Sequence, residues 1–233
     1  MDSSGSAKGT KMELNDAAKE AYLRGDYEQA MELWRPLAEA GDTEAQAWIG
    51  SLYANGEGVA PDSAVAFYWY LEAAERGSLQ AQANVGALYF MGQGVEKNLD
   101  EAVRWLSAAA DGGDIYAIFN LATLYAKGEG VPENLERAAK YYRMAAERGH
   151  YPSQSRLGFM YAQGRGLSKD RVQAYLWLTL AAQHGIGSAL TALESVIGDM
   201  SAEEKAEGMS LFDAWRGKTQ AVSGQGALYP QPA

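Results

Sequence analysis

Cysteine is absent from the 233 residues, which excludes disulfides, thiolate zinc sites and cysteine nucleophiles. Histidine is nearly absent too. His150 and His184 stand beside capping glycines at the ends of helical runs, where they are expected to serve helix ends rather than a metal. Positive charge is in deficit, with 20 Lys and Arg against 30 Asp and Glu. The net charge of −10 argues against nucleic acid as a partner, because an acidic surface repels phosphates. It argues equally against charge-driven binding to anionic membranes. No apolar run approaches the ~18 residues of a membrane helix, so membrane insertion is not expected. Residues 1–11 lack the apolar core of a signal peptide. As written, the chain is expected in the cytoplasm, with the periplasm as the alternative if a signal has been removed.

Catalytic signatures are missing as well. There is no nucleotide-cradling Lys-Ser/Thr loop, no His-Glu-x-x-His and no Gly-x-Ser-x-Gly. Carboxylates are plentiful but scatter over outer helix faces, as at Glu72, Glu75 and Glu147, and give no glycosidase-type pair. No catalytic residue, metal site or small-molecule cofactor is expected.

What the chain has is a repeat. Gly56-Glu57-Gly58-Val59 returns as Gly92-Gln93-Gly94-Val95, Gly128-Glu129-Gly130-Val131 and Gly164-Arg165-Gly166-Leu167, at a constant step of 36. The same step carries Tyr53 to Tyr89, Tyr125 and Tyr161, and Gly77 to Gly113, Gly149 and Gly185. A fixed period in this range marks a solenoid, in which each unit buries its apolar face only against its neighbours. The Gly-x-Gly loops follow helices rather than strands and hold Pro61 where a third glycine would fall. They are turns between helices, not dinucleotide sites.

Each unit is a pair of helices. In the first, Asp42 caps helix A from about Thr43 to Asn55, the glycine loop turns the chain through positive φ, and Asp62 caps helix B. Gly77 then sits where a left-handed C-cap belongs. The four regular units run over 43–78, 79–114, 115–150 and 151–186. A capping pair precedes them over 12–42, and capping helices follow over 187–215, with Ser201 and Glu204 forming a capping box. This predicts a single domain over 12–215, with a disordered lead-in at 1–11 and a flexible tail at 216–233.

The fuller motifs are specific. They include Ala81-Gln-Ala-Asn-Val-Gly-Ala-Leu-Tyr89, then Gly92-Gln-Gly-Val95, then Ala102-Val-Arg-Trp-Leu-Ser-Ala-Ala-Ala-Asp-Gly112. Upstream stand Gly25-Asp-Tyr-Glu-Gln-Ala30 and Trp34-Arg-Pro-Leu-Ala-Glu-Ala-Gly41. From Asn15 to about Trp215 this pattern resembles the Sel1-like repeat family, a relative of the tetratricopeptide repeats. Ala122 departs from it, standing where the other units have Gly50, Gly86 and Gly158. The resemblance implies an all-α, right-handed superhelical solenoid. It also implies a non-catalytic scaffold or adaptor that binds a protein or peptide segment on a concave face lined by the A helices. An envelope-located regulator of a signalling or assembly complex is the alternative, and a hydrolase with an unrecognised carboxylate site a distant one.

By the same analogy, inward positions lie two residues before, two after and five to six after the Ile49-type core residue. Among them Phe90, Met91, Phe119 and Phe159 are apolar without being called for by the core pattern, and Lys127 is charged. The position just before the core residue holds Trp48, Asn84, Asn120 and Arg156. An Asn amide can donate and accept at once, so Asn84 and Asn120 could pair with an extended backbone while Arg156 holds a carboxylate. These nine residues form the candidate binding site. The trailing Ala227-Leu-Tyr-Pro-Gln-Pro232, with Leu228 and Tyr229 as anchors, could fold back onto the same groove.

Overall fold

The computed structural model describes residues 3–220, with side chains over 11–217. Where the period predicts one array, the chain divides between Asp114 and Ile115 into two compact units. A helical repeat packs each pair only on its neighbours, so no single core ties the whole array together. The first unit holds α1 (Ser3–Leu23), α2 (Tyr27–Glu39), α3 (Thr43–Asn55), α4 (Ser63–Glu75), α5 (Leu79–Met91) and α6 (Leu99–Asp111). The second holds α7 (Ile115–Lys127), α8 (Leu135–Ala146), α9 (Tyr151–Gln163), α10 (Arg171–Gln183), α11 (Gly187–Asp199) and α12 (Ala202–Gln220). Among the described residues there is no strand, and the fold is an all-α repeat.

Two ends differ from expectation. α1 begins at Ser3, nine residues ahead of the predicted start at Met12, so residues 3–11 are helical rather than a disordered lead-in. Apolar spacing locates only the docked part of a helix; once nucleated, a helix propagates into a polar segment at little cost. For the same reason α12 runs on to Gln220, past the predicted limit at Trp215. The rest of the expected tail, with Leu228 and Tyr229, lies outside the described residues.

The B helices start where the sequence places caps. Asp62 Oδ1 accepts from the Ala64 and Val65 amides at 2.9 and 3.1 Å. Asn98, Asn134 and Asp170 accept from the amides of Glu101, Arg137 and Gln173 at 3.1, 2.8 and 2.9 Å. Each such cap contributes about 1 kcal/mol. The reciprocal half of the box differs between helices. Glu101 turns to Arg104, at 2.6 Å, and Gln173 Oε1 accepts from Trp177 Nε1 at 3.3 Å. Among the described residues only Ser201 and Glu204 make both halves, with Glu204 N donating at 3.1 Å and Ser201 N at 2.8 Å.

The loop glycines take the positive φ the pattern predicts, with Gly164 at 69° and Gly166 at 70°. Two of the second glycines, Gly94 and Gly166, have a further reason to lack a side chain. A Cβ on Gly94 would fall on the Ser63 carbonyl, and one on Gly166 on the Leu135 carbonyl. Each of these two loops therefore rests on the first turn of the preceding B helix. A second tie runs between the same pairs. Gln46 Nε2 donates to the Ala38 carbonyl at 3.1 Å, and Gln82 and Gln154 do the same to Ala74 and Ala146 at 3.2 Å.

In the first unit, the Trp34 and Trp48 rings stack at 4.8 Å and 6° with Tyr22 against them, while Trp34 Nε1 donates to Asn15 Oδ1 at 3.1 Å. A second cluster joins Ala66, Tyr70, Val85, Leu88 and Trp105. In the second unit, Tyr142, Leu157 and Trp177 form the core, which Phe212 and Trp215 of α12 cover from the end, with Trp215 edge-on to Trp177 at 4.9 Å. The terminal helices thus close that unit's apolar face, as a solenoid end requires.

Candidate interaction face

The candidate residues fall on four A helices, and the two units divide them. In the first unit, Trp48 is 6% exposed and sandwiched in the Tyr22–Trp34 cluster. It is a core residue, not a groove residue. The tetratricopeptide analogy assigned it to the groove because nothing in α2 signalled that Trp34 would stack on it. Asn84 is half-buried on α5, and so is Phe90, whose ring lies 5.3 Å beneath the Lys97 ammonium. Met91 is 50% exposed at the end of the same helix. Ala47, Ser51 and Ala83, also predicted to face inward, are buried.

The second unit brings more of the set together. Lys127 on α7 and Arg156 and Phe159 on α9 line one open cleft of about 350 Å³, with Thr123, Leu135, Tyr142, Met160 and Arg165. Phe159 and Gln163 also line a neighbouring cleft of about 580 Å³ between α9 and α11. Phe119 and Asn120 are half-buried on α7. Phe119 is explained by packing after all, because its ring lies 4.8 Å from His150 and 5.8 Å from Tyr142. Asn120 and Arg156 hold no hydrogen bond or ion pair with any described residue, which leaves both side chains available to a ligand.

The first cleft has a defined floor. Thr123 Oγ1 donates to the Phe119 carbonyl at 3.0 Å and lies 3.0 Å from the Tyr142 hydroxyl. A threonine has one hydroxyl proton, so Tyr142 is the donor between the two. Burial holds the Tyr142 phenol above its ordinary range, which keeps it neutral and donating. The rim is cationic: Arg156 and Arg165 are exposed, and Lys127 has only Glu129 nearby, at 3.9 Å. Sequence reasoning missed Arg165, Leu135, Tyr142 and Met160. Arg165 did carry a signal, being the one cation at the central place of the Gly-x-Gly loops, where Glu57, Gln93 and Glu129 stand elsewhere.

The histidines serve structure, in a different register from that expected of His150. His184 ends α10 and stacks on Tyr151 with centroids 3.4 Å apart. His150 opens α9 instead of closing α8, because Gly149 has already ended the preceding turn. Its Nδ1 lies 2.8 Å from Ser153 Oγ.

Comparison with known proteins places this geometry. The family model described as Sel1 repeat matches residues 17–42, 43–78, 79–114, 115–150 and 152–186, so the N-terminal pair is itself a repeat. No curated protein sequence matches significantly. Among solved structures, the chain is similar to a Sel1 repeat protein from Oxalobacter formigenes at 34% identity and a TM-score of 0.69, covering 91% of this chain and 86% of that one. It is also similar to a protective antigen of uropathogenic Escherichia coli strains at 28% identity and a TM-score of 0.82, covering 98% of this chain. The match spans 52%, about half, of that antigen's length. A Sel1 repeat protein of Klebsiella pneumoniae shares the fold at 21% identity, with a TM-score of 0.54 and coverages of 83% and 96%.

Proposed function

The chain belongs to the Sel1 repeat family, and from that premise we propose that it is a non-catalytic adaptor holding a peptide or protein segment on the A-helix face of its second unit. Sel1 repeat proteins generally mediate protein–protein interaction, and the scaffold is generally non-catalytic. Among the described residues no helix is long and apolar enough to cross a membrane.

One observation carries the reading. Lys127, Arg156 and Phe159, chosen by analogy with tetratricopeptide repeats, line a single cleft, and Asn120 stands on the same helix as Lys127 with its amide unused. The pair of clefts that share Phe159 and Gln163 supplies apolar recesses for side chains. Asn120 supplies a donor and an acceptor for a backbone that crosses α7.

The test is affinity capture from native lysate with the wild type beside Asn120→Ala/Phe159→Ala, the variant's helicity being confirmed first. A partner held by the wild type and lost by the folded variant is the expected result. A partner held equally by both would remove this face from the binding site.

A further inference from the structure

The charge of the molecule is not evenly spread. Residues 1–114 carry 8 basic and 19 acidic side chains, a net −11, whereas residues 115–233 carry 12 and 11, a net +1. Within the second half, three cations converge on one cleft: Lys127, Arg156 and Arg165 line it, and no Asp or Glu does. The nearest carboxylate among described ion pairs is Glu129, 3.9 Å from Lys127. Neither Arg156 nor Arg165 makes an ion pair with a described residue.

Folding does not ask for this arrangement. Some cations elsewhere pair within their own helix, as in Arg76–Glu72 at 2.7 Å and Arg104–Glu101 at 2.6 Å. Three like charges around one recess repel each other and gain nothing from the apolar floor beneath them. That floor is made by Leu135, Phe159 and Met160. Cationic rim and apolar floor together recognise a ligand with negative charge beside a large apolar group.

We propose that this cleft binds an acidic peptide segment of another protein, one large apolar side chain entering the recess and flanking carboxylates meeting Lys127, Arg156 and Arg165. The proposal rests on the adaptor reading above and names the chemistry of its partner. Arg156 and Arg165 suit carboxylates because a guanidinium presents a planar fork of donors. The chain's own residues 221–233 do not qualify, since they contain no Asp or Glu side chain. A bare phosphate backbone fits less well, because it offers the apolar floor nothing.

The experiment is selection of a random short-peptide library on the full chain, followed by affinity measurement of the selected peptides. The wild type is set beside Lys127→Ser/Arg156→Ser/Arg165→Ser and beside Asn120→Ala/Phe159→Ala, all three checked for helicity and thermal stability. The selected peptides are expected to be acidic and to carry an aromatic, Leu or Met residue. They should weaken about tenfold or more on the triple-serine variant, as the loss of three rim ion pairs implies. Their affinity for the wild type should fall as salt rises from about 0.05 M to about 0.5 M.

Selected peptides that are neutral or basic, or that the triple-serine variant binds undiminished, would overturn the inference. If such peptides were nonetheless lost by Asn120→Ala/Phe159→Ala, the adaptor reading would survive it. An empty selection would overturn both. A random single-stranded oligonucleotide run in parallel should not bind; binding there in place of any peptide would give the cations to phosphates and end the proposal.

Discussion

Two residues show how little chemistry separates a tolerated position from a forbidden one. Burial against the Phe119 and Tyr116 rings pulls the His150 imidazole down to about 4, from an ordinary 6.5. As pH falls, the unfolded chain takes up that proton before the folded one does. His150 therefore contributes stability that is complete above pH 6.5 and is lost progressively down to about pH 4. Because the imidazole is partly exposed, the loss should be about 1–2 kcal/mol, less than the shift alone would give. Denaturation of the wild type and His150→Gln between about pH 7 and pH 4.5 checks it, and a constant difference between the two curves would refute it. Glycine positions divide in a similar way. Gly149 and Gly166 have φ of 85° and 70°, but a Cβ on Gly149 meets nothing within 4 Å while one on Gly166 strikes the Leu135 backbone. Gly149→Ala should cost about 1–2 kcal/mol, the left-handed penalty alone. Gly166→Ala adds a clash with backbone and should cost above about 3 kcal/mol. Equal thermal shifts for the two would show that the loop yields to the methyl.

At the scale of elements, the helices could be read from the sequence because caps, glycines and the 36-residue step agree with one another. α3 and α4 run as the caps predict, from Thr43 and from Ser63. The surface was harder to read, since spacing says which side of a helix a residue is on but not what covers that side. Trp48 shows the difficulty: it shares a register with Asn84, Asn120 and Arg156, yet Trp34 of α2 stacks on it. Paired changes held information that single positions did not. Ser51 faces Tyr70 as Thr123 faces Tyr142, whereas the other two repeats set Ala87 and Phe159 at the hydroxyl position against Leu106 and Leu178 at the tyrosine position. The tyrosine that floors the cleft is thus matched to the hydroxyl that orients it. The same logic predicts how Trp48 behaves when changed. Trp48→Ala should destabilise the first unit by about 3–5 kcal/mol, since it empties a buried aromatic stack. Asn84→Ala, on a half-buried polar side chain, should stay within about 0.5 kcal/mol. Chemical denaturation that ranked the two alike would return Trp48 to the surface.

Over the whole molecule, stability should be distributed in the manner of a linear array, not pooled in one core. The apolar clusters are local: one joins α1, α2 and α3, and another draws on α9, α10 and α11. No helix pair has a reason to feel a cavity several pairs away, because a repeat array transmits stability through nearest neighbours. Trp34 tests this well, being fully buried, stacked on Trp48 and bonded through Nε1 to Asn15. In Trp34→Ala, amide hydrogen exchange should quicken across α1, α2 and α3 by the factor that about 3–5 kcal/mol implies, capped where those helices already open. Exchange in α9 to α12 should keep its wild-type rates. The binding face proposed for the second unit would then survive damage to the first, with peptide affinity unchanged in the same variant. Exchange that rose everywhere together would mean that the chain unfolds as one cooperative body, and a fall in peptide affinity would mean that the first unit helps to hold the partner.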